Sequence, residues 1–156
     1  MIRDVTAADV DSAIDAATAC GLFSPEEIPV LQNQLERTLS EESEQPGFWL
    51  AEFDEAGQAQ GVAYCAEEKM ADRVWNLLFI GVREEQQSSG IGARLLQSVE
   101  ARLRDEAQRL LIIETSNGDE FVAAQSFYRK HGFCEEGTIA NFYADGMDKV
   151  VFAKSL

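Results

Sequence analysis

The chain has 156 residues, 46% of them hydrophobic and 26% charged, with a formal charge of −15. That length suits one domain spanning residues 1–156, and the balance of apolar to charged residues excludes a disordered chain. The negative charge excludes nucleic acid and anionic membranes as partners, because binding a phosphate polymer needs clustered Lys and Arg.

Residues 2–5 read as a first strand. Thr6 and Asp9 then mark a helix start, a hydroxyl at the N-cap with a carboxylate three residues on. This helix runs toward Cys20 and Gly21. A second is expected to begin at Ser24, which caps, with Pro25 in the first turn and Glu26 and Glu27 complementing the dipole, and to end before Pro46. Residues 48–53 and 61–67, separated by turn residues 54–58, read as an antiparallel hairpin, and a further strand spans 73–82.

From 90 to 107, apolar Ile91, Leu95, Leu96, Val99 and Leu103 recur at steps of three and four, the pattern of a helix with one buried face. Residues 110–114 form a short buried strand ending at Glu114. Residues 121–131 read as a second amphipathic helix closed by Gly132, and 136–143 with 149–153 as a closing hairpin around Ala144, Asp145 and Gly146. Phe142 and Tyr143 in that hairpin are candidates to line a substrate pocket, but alternating aromatics in a closing strand, like Trp49 and Trp75, more often read as core. The fold class is α/β with a mixed sheet, and no repeat or linker divides the chain.

Cys20, Cys65 and Cys134 are widely spaced and form no CxxC pair, so neither a disulfide framework nor a zinc site is expected. A reducing compartment, the cytoplasm, is the simpler expectation. No apolar run approaches the ~20 residues of a membrane span, and the start of the chain lacks a signal peptide's basic-then-apolar layout. The negative field favours a cationic substrate such as an amine, while acidity also serves solubility.

The chemistry concentrates where the strand ending at Val82 passes through a polar turn into a helix at Gly90, Ile91 and Gly92. A helix N-terminus offers amides without intrahelical partners and a partial positive charge, so it seats an anion such as a pyrophosphate, and glycines let the backbone come close. The alternative is a glycine turn that merely packs. A Walker loop is excluded because no Lys follows Gly92, and a dinucleotide fingerprint because GxGxxG is absent.

The spacing in Gln87-Ser88-Ser89-Gly90-Ile91-Gly92 resembles the GNAT acetyltransferase signature [QR]-x-x-G-x-[GA]. Ser126-Phe127-Tyr128-Arg129-Lys130-His131-Gly132-Phe133 is similar to that family's later helix, which ends in F-Y-x-x-x-G-F. The resemblance covers residues 75–156 by motif and the first half by element order. It implies a mixed, mostly antiparallel sheet of six or seven strands flanked by about four helices, with the fourth and fifth strands, 76–82 and 110–114, splayed around an acyl-CoA.

By the same resemblance, Gln87, Ser88, Ser89, Gly90, Ile91, Gly92 and Ala93 give backbone donors to the pyrophosphate, and Ile80 and Val82 pair main chain with pantetheine. Tyr128 protonates the departing thiolate, for which a phenol titrating at about 10 suits. Outside the motif, Tyr128 reads as a tyrosine packed on a helix face. The implied reaction is direct acetyl transfer from acetyl-CoA to a primary amine on a small molecule or peptide, with no metal. The alternative is a catalytically silent acyl-CoA-binding sensor or scaffold.

Glu67, Glu68 and Glu114 are the carboxylates available as general base, and Glu114 is the first choice because it ends a splayed strand. It also reads as a solvated strand-end carboxylate. His131, the single histidine, reads as a cation at a helix C-terminus. Asn117 departs from the pattern, standing farther before Tyr128 than the asparagine of many relatives. Acceptor specificity is expected around residues 21–28 and 40–45, and the closing hairpin offers strand edges for a possible homodimer.

Overall fold

A computed structural model of the chain describes residues 1–40 and 45–156. In chain order it forms β1 (Ile2–Asp4), α1 (Val10–Thr18), α2 (Ile28–Leu39), β2 (Gly47–Phe53), β3 (Ala59–Glu67), β4 (Val74–Val82), α3 (Ile91–Asp105), β5 (Leu110–Ser116), α4 (Val122–Lys130), β6 (Cys134–Ala144) and β7 (Met147–Ser155). One sheet carries all seven strands in the order β1-β2-β3-β4-β5-β7-β6. Every neighbouring pair is antiparallel except β4 and β5. Among the described residues no helix is long and apolar enough to cross a membrane.

The sheet separates two apolar clusters. On one face Leu95, Leu96, Val99 and Leu103 of α3 pack with Leu77, Ile113 and Phe152, and Tyr128 of α4 joins them. On the other, Ala13, Ala16 and Ala17 of α1 and Leu35 of α2 cover Trp49, Val62, Tyr64 and Phe79. The five apolar residues that predict α3 are all buried, and Arg102 and Arg104 in its last turn complement the helix dipole. Gly61 lets α3 approach: a Cβ there would stand 2.8 Å from Ile91 and 3.1 Å from Leu95.

The parallel pairing of β4 and β5 is short. Val74, Trp75 and Asn76 face Leu110, Leu111 and Ile112, and beyond that point the strands part, as the family resemblance predicts. Within β4, Leu77 pairs with Cys65 and Phe79 with Tyr64, so Leu78 is an extra residue in a β-bulge. It has no register partner on either side.

Several local expectations are corrected. The second helix starts at Ile28 rather than Ser24, because residues 25–27 close a separate turn: the Glu27 amide donates to the Ser24 carbonyl at 3.0 Å and the Ser24 amide to the Glu27 carboxylate at 2.8 Å. Pro29, not Pro25, occupies the helix's first turn. Strand β5 continues to Ser116, so Glu114 lies inside it. Phe142 and Tyr143 are exposed rather than core, because β6 is an edge strand exposed along its whole length; residues 140–143 also bulge out opposite Asp148 of β7. Trp49 and Trp75 are buried, each with its indole N–H unpartnered among the described residues.

Candidate active site

The turn between β4 and α3 is clamped to α1. The Glu84 amide donates to the Ala19 carbonyl at 3.0 Å, and Arg83 reaches the Asp15 carboxylate at 2.5 Å and the Ala59 carbonyl at 2.8 Å. Ser88 and Gly90 both take positive φ, 65° and 85°, which turns successive amides toward one side. The amides of Ser88, Gly90, Ile91, Gly92 and Ala93 have no acceptor among the described residues. This is a ready seat for an anion.

Those amides border a cavity of about 490 Å³. Its floor is Ile80, Gly81 and Val82 of β4, its rim Gln86, Gln87, Ser88 and Gly90 to Ala93, and its far wall Ala123, Ala124, Phe127 and Tyr128 of α4. Cys20, Leu22, Lys130 and His131 complete the lining. No Asp or Glu contributes to this lining among the described residues, although the chain has 28 of them.

Tyr128 is 8% exposed and sits among Phe127, Phe133 and Phe152, with ring centroids 5.6 to 6.0 Å away. Burial pushes its phenol up to about 12. His131 is held at its helix: Nδ1 lies 2.8 Å from the Phe127 carbonyl and its ring 4.3 Å from that of Phe127. Burial also raises the Cys20 thiol, so it stays protonated and behaves as an apolar wall.

Of the residues predicted from sequence, Ile80, Val82, Gln87, Ser88, Gly90, Ile91, Gly92, Ala93 and Tyr128 meet at this cavity. Two do not. Ser89 points away, its hydroxyl donating to the Gln86 carbonyl at 2.5 Å. Glu114 lies on the other face of the sheet, since Ile113 of β5 packs beside Tyr128 and neighbouring strand residues alternate. There its carboxylate is 3.1 Å from Lys149 Nζ, whose ammonium sits 3.8 Å from the centre of the Phe142 ring. Asn117 is engaged with Asp148, donating to its carboxylate and accepting from its amide, both at 3.0 Å. Glu68 accepts from the Asn76 amide at 2.9 Å.

Sequence reading missed Cys20, Leu22, Ala123, Ala124, Phe127 and Lys130 as lining residues. For those of α4 a signal existed: 123, 127 and 130 share one helical row, and 124, 128 and 131 the next. Leu22 lies within the segment expected to shape acceptor choice, and Phe23 and Glu27 of the same segment line a second cavity of about 380 Å³ on the α2 face. Leu78 and Phe79 of β4 border that second cavity while Ile80 borders the first. Residues 41–44 of the other expected segment lie outside the described residues.

The sequence matches the family model described as acetyltransferase (GNAT) domain over residues 44–135, more than half the chain. No curated protein matches it. Among solved structures it is similar to a Desulfovibrio desulfuricans protein assigned to the GNAT acetyltransferases, with 25% identity, a TM-score of 0.91, and 99% of this chain and 98% of that one covered. A ribosomal-protein-alanine N-acetyltransferase from Brucella melitensis is 21% identical, with a TM-score of 0.79 over 100% of this chain and 99% of that one. An aminoglycoside 6′-N-acetyltransferase complexed with coenzyme A is 15% identical, with a TM-score of 0.79 over 99% and 96%. At such identities these last two likenesses concern the fold alone.

Proposed function

Because the chain belongs to the GNAT acetyltransferase family, we propose that it transfers an acetyl group from acetyl-CoA to a primary amine by direct attack. The observation that carries this reading is the single cavity whose lining runs from the unpartnered amides of the turn to Tyr128. A pyrophosphate at the turn leaves Ile80 and Val82 beside the pantetheine arm and brings the thioester toward the gap between β4 and β5.

The two faces of the sheet then divide the chemistry. The acceptor enters from the α2 side, by way of the second cavity and Leu78. Its nitrogen attacks the thioester carbonyl carbon, the carbon–sulfur bond breaks, and Tyr128 on the α4 side gives a proton to the sulfur. The second proton that the nitrogen sheds on becoming an amide restores the Tyr128 phenol by way of solvent. Glu114, on the acceptor face and two residues past the last β4–β5 pair, takes the proton that the ammonium must lose. Burial keeps the Tyr128 phenol protonated across the neutral range, which a proton donor requires.

Calorimetric titration with acetyl-CoA and with CoA tests the cavity, and thiol release across a panel of amines tests the transfer. Binding with amine-dependent thiol release is expected. Binding without release from any amine would leave an acyl-CoA-binding module, and no binding to either compound would remove the reading altogether.

A further inference from the structure

We propose that Lys130 recognises the 3′-phosphate of coenzyme A and so makes this protein discriminate CoA esters from their 3′-dephospho counterparts. The inference rests on the acyl-CoA reading of the cavity and adds a specificity residue to it. Lys130 is the one Lys or Arg on the cavity lining among the described residues.

The basic side chains around it are already engaged. Arg94, next to the glycine turn, holds Glu52 through two nitrogens at 2.9 and 2.5 Å; Arg129 holds Glu135 at 2.7 Å; Lys154 holds Glu100 at 2.8 Å. Lys130 has neither an ion pair nor a hydrogen bond among the described residues, in a chain with 28 acidic and 13 basic residues. An ammonium that stays unpaired in so acidic a chain, on a wall without carboxylates, remains available for an anion from outside.

Position suggests which anion. The Phe127 ring lies against Gly92, 3.8 Å from where a Cβ would stand there, and Lys130 follows Phe127 by three residues on the same helical row. Lys130 therefore borders the same cavity roughly one helical turn along α4 from the point where Phe127 meets the seat. Coenzyme A carries two separated anionic groups on one ribose, the diphosphate and the 3′-phosphomonoester. Neutral amides suit the first, whereas the monoester, with about two charges at neutral pH, calls for a cation. A lysine, as a mobile point charge at a solvent-facing rim, matches a phosphate that is itself partly hydrated.

A lysine in the last turn of a helix is also favourable with no ligand at all, and a binding cycle separates the two roles. Dissociation constants for CoA and 3′-dephospho-CoA are measured by calorimetry on the wild type and on Lys130→Met, which keeps the apolar stem. Loss of the 3′-phosphate is expected to weaken wild-type binding about fivefold to tenfold, the size of one solvent-accessible charged contact. Lys130→Met is expected to weaken CoA to the same degree and leave 3′-dephospho-CoA unchanged, and Lys130→Arg to restore most of the discrimination. Equal weakening of both ligands by Lys130→Met, or equal wild-type affinity for both, overturns the assignment while leaving the acyl-CoA reading in place. Failure of the wild type to bind either ligand overturns that reading and the assignment with it.

Discussion

The ring of Phe127 lies 3.8 Å from where a Cβ on Gly92 would stand, so the far wall of the cavity and the amide seat touch across a gap one methyl wide. Contact at that distance is ordinary, and Gly92 sits in the first turn of α3, where alanine is the better helix former by about 1 kcal/mol. Gly92→Ala is expected to raise the melting temperature slightly and cost little CoA affinity. Gly92→Leu fills the space beside Phe127 and is expected to abolish binding in a folded protein. Calorimetry beside thermal melts reads both, and undiminished binding by Gly92→Leu would place the ligand elsewhere.

Gly90 makes a different demand. Its φ of 85° costs a residue with a Cβ about 1–2 kcal/mol, and Ser88 already holds a similar angle two residues earlier. Gly90→Glu adds a carboxylate at the seat as well as strain. CoA affinity is expected to fall at least tenfold, with a smaller loss for Gly90→Asn, which tolerates the left-handed region. Equal losses from the two variants would set aside charge and strain and assign the effect to the atoms added at the seat, where a Cβ would stand 3.1 Å from Arg94.

Tyr128→Phe removes one hydroxyl from a ring that stays packed by Phe133 and Phe152. As loss of one general acid, it is expected to lower kcat about tenfold to a thousandfold with CoA affinity nearly unchanged. Equal losses in binding and rate would make the tyrosine a packing residue. Because burial pushes the phenol up to about 12, its own ionisation should not limit the wild-type rate below about pH 11.

The residues that were readable from sequence are those whose signal is local. The five apolar positions of α3 mark its buried face, and the spacing from Gln87 to Gly92 marks the turn, because both follow from a few dihedrals and a periodicity. The bulge at Leu78 left no such trace: an extra residue in a β-strand changes register, which depends on β3 across the sheet. Phe142 and Tyr143 misled for a related reason. They have strand-forming character, but burial of a strand depends on its place in the sheet order, and β6 is an edge strand exposed along its whole length. The start of α2 misled because Ser24 and Glu27 do pair, the Ser24 amide donating to the Glu27 carboxylate and the Glu27 amide to the Ser24 carbonyl, yet these bonds close one turn and stop.

Glu114 and Lys149 form a pair 3.1 Å apart on the face of the sheet opposite Tyr128. If Glu114 takes the ammonium proton, Glu114→Gln should lower kcat/KM for an amine by about a hundredfold at neutral pH. The deficit should shrink as pH rises, because the acceptor then arrives already neutral. Lys149→Met, which removes the partner but keeps the carboxylate, is expected to cost far less. A pH-independent deficit shared by both variants would mean that the pair only holds β5 against β7.

Asp9 contributes stability that acid removes. The Arg3 guanidinium, donating to both carboxylate oxygens at 2.7 and 2.8 Å, holds Asp9 well below the usual carboxylate range, and the Thr6 hydroxyl and amide add to this against the cost of desolvation. The folded state therefore binds the proton more weakly than the unfolded chain, which takes it up near pH 4. Stability from this group is complete above that value and lost as pH falls below it. Asp9→Asn is expected to cost about 1 kcal/mol at pH 7, since Arg3 is partly exposed, and to lose its effect as pH approaches 2. Chemical denaturation of both proteins between pH 7 and pH 2 reads the difference, and a constant gap would show that Asp9 acts through the capping turn rather than through its charge.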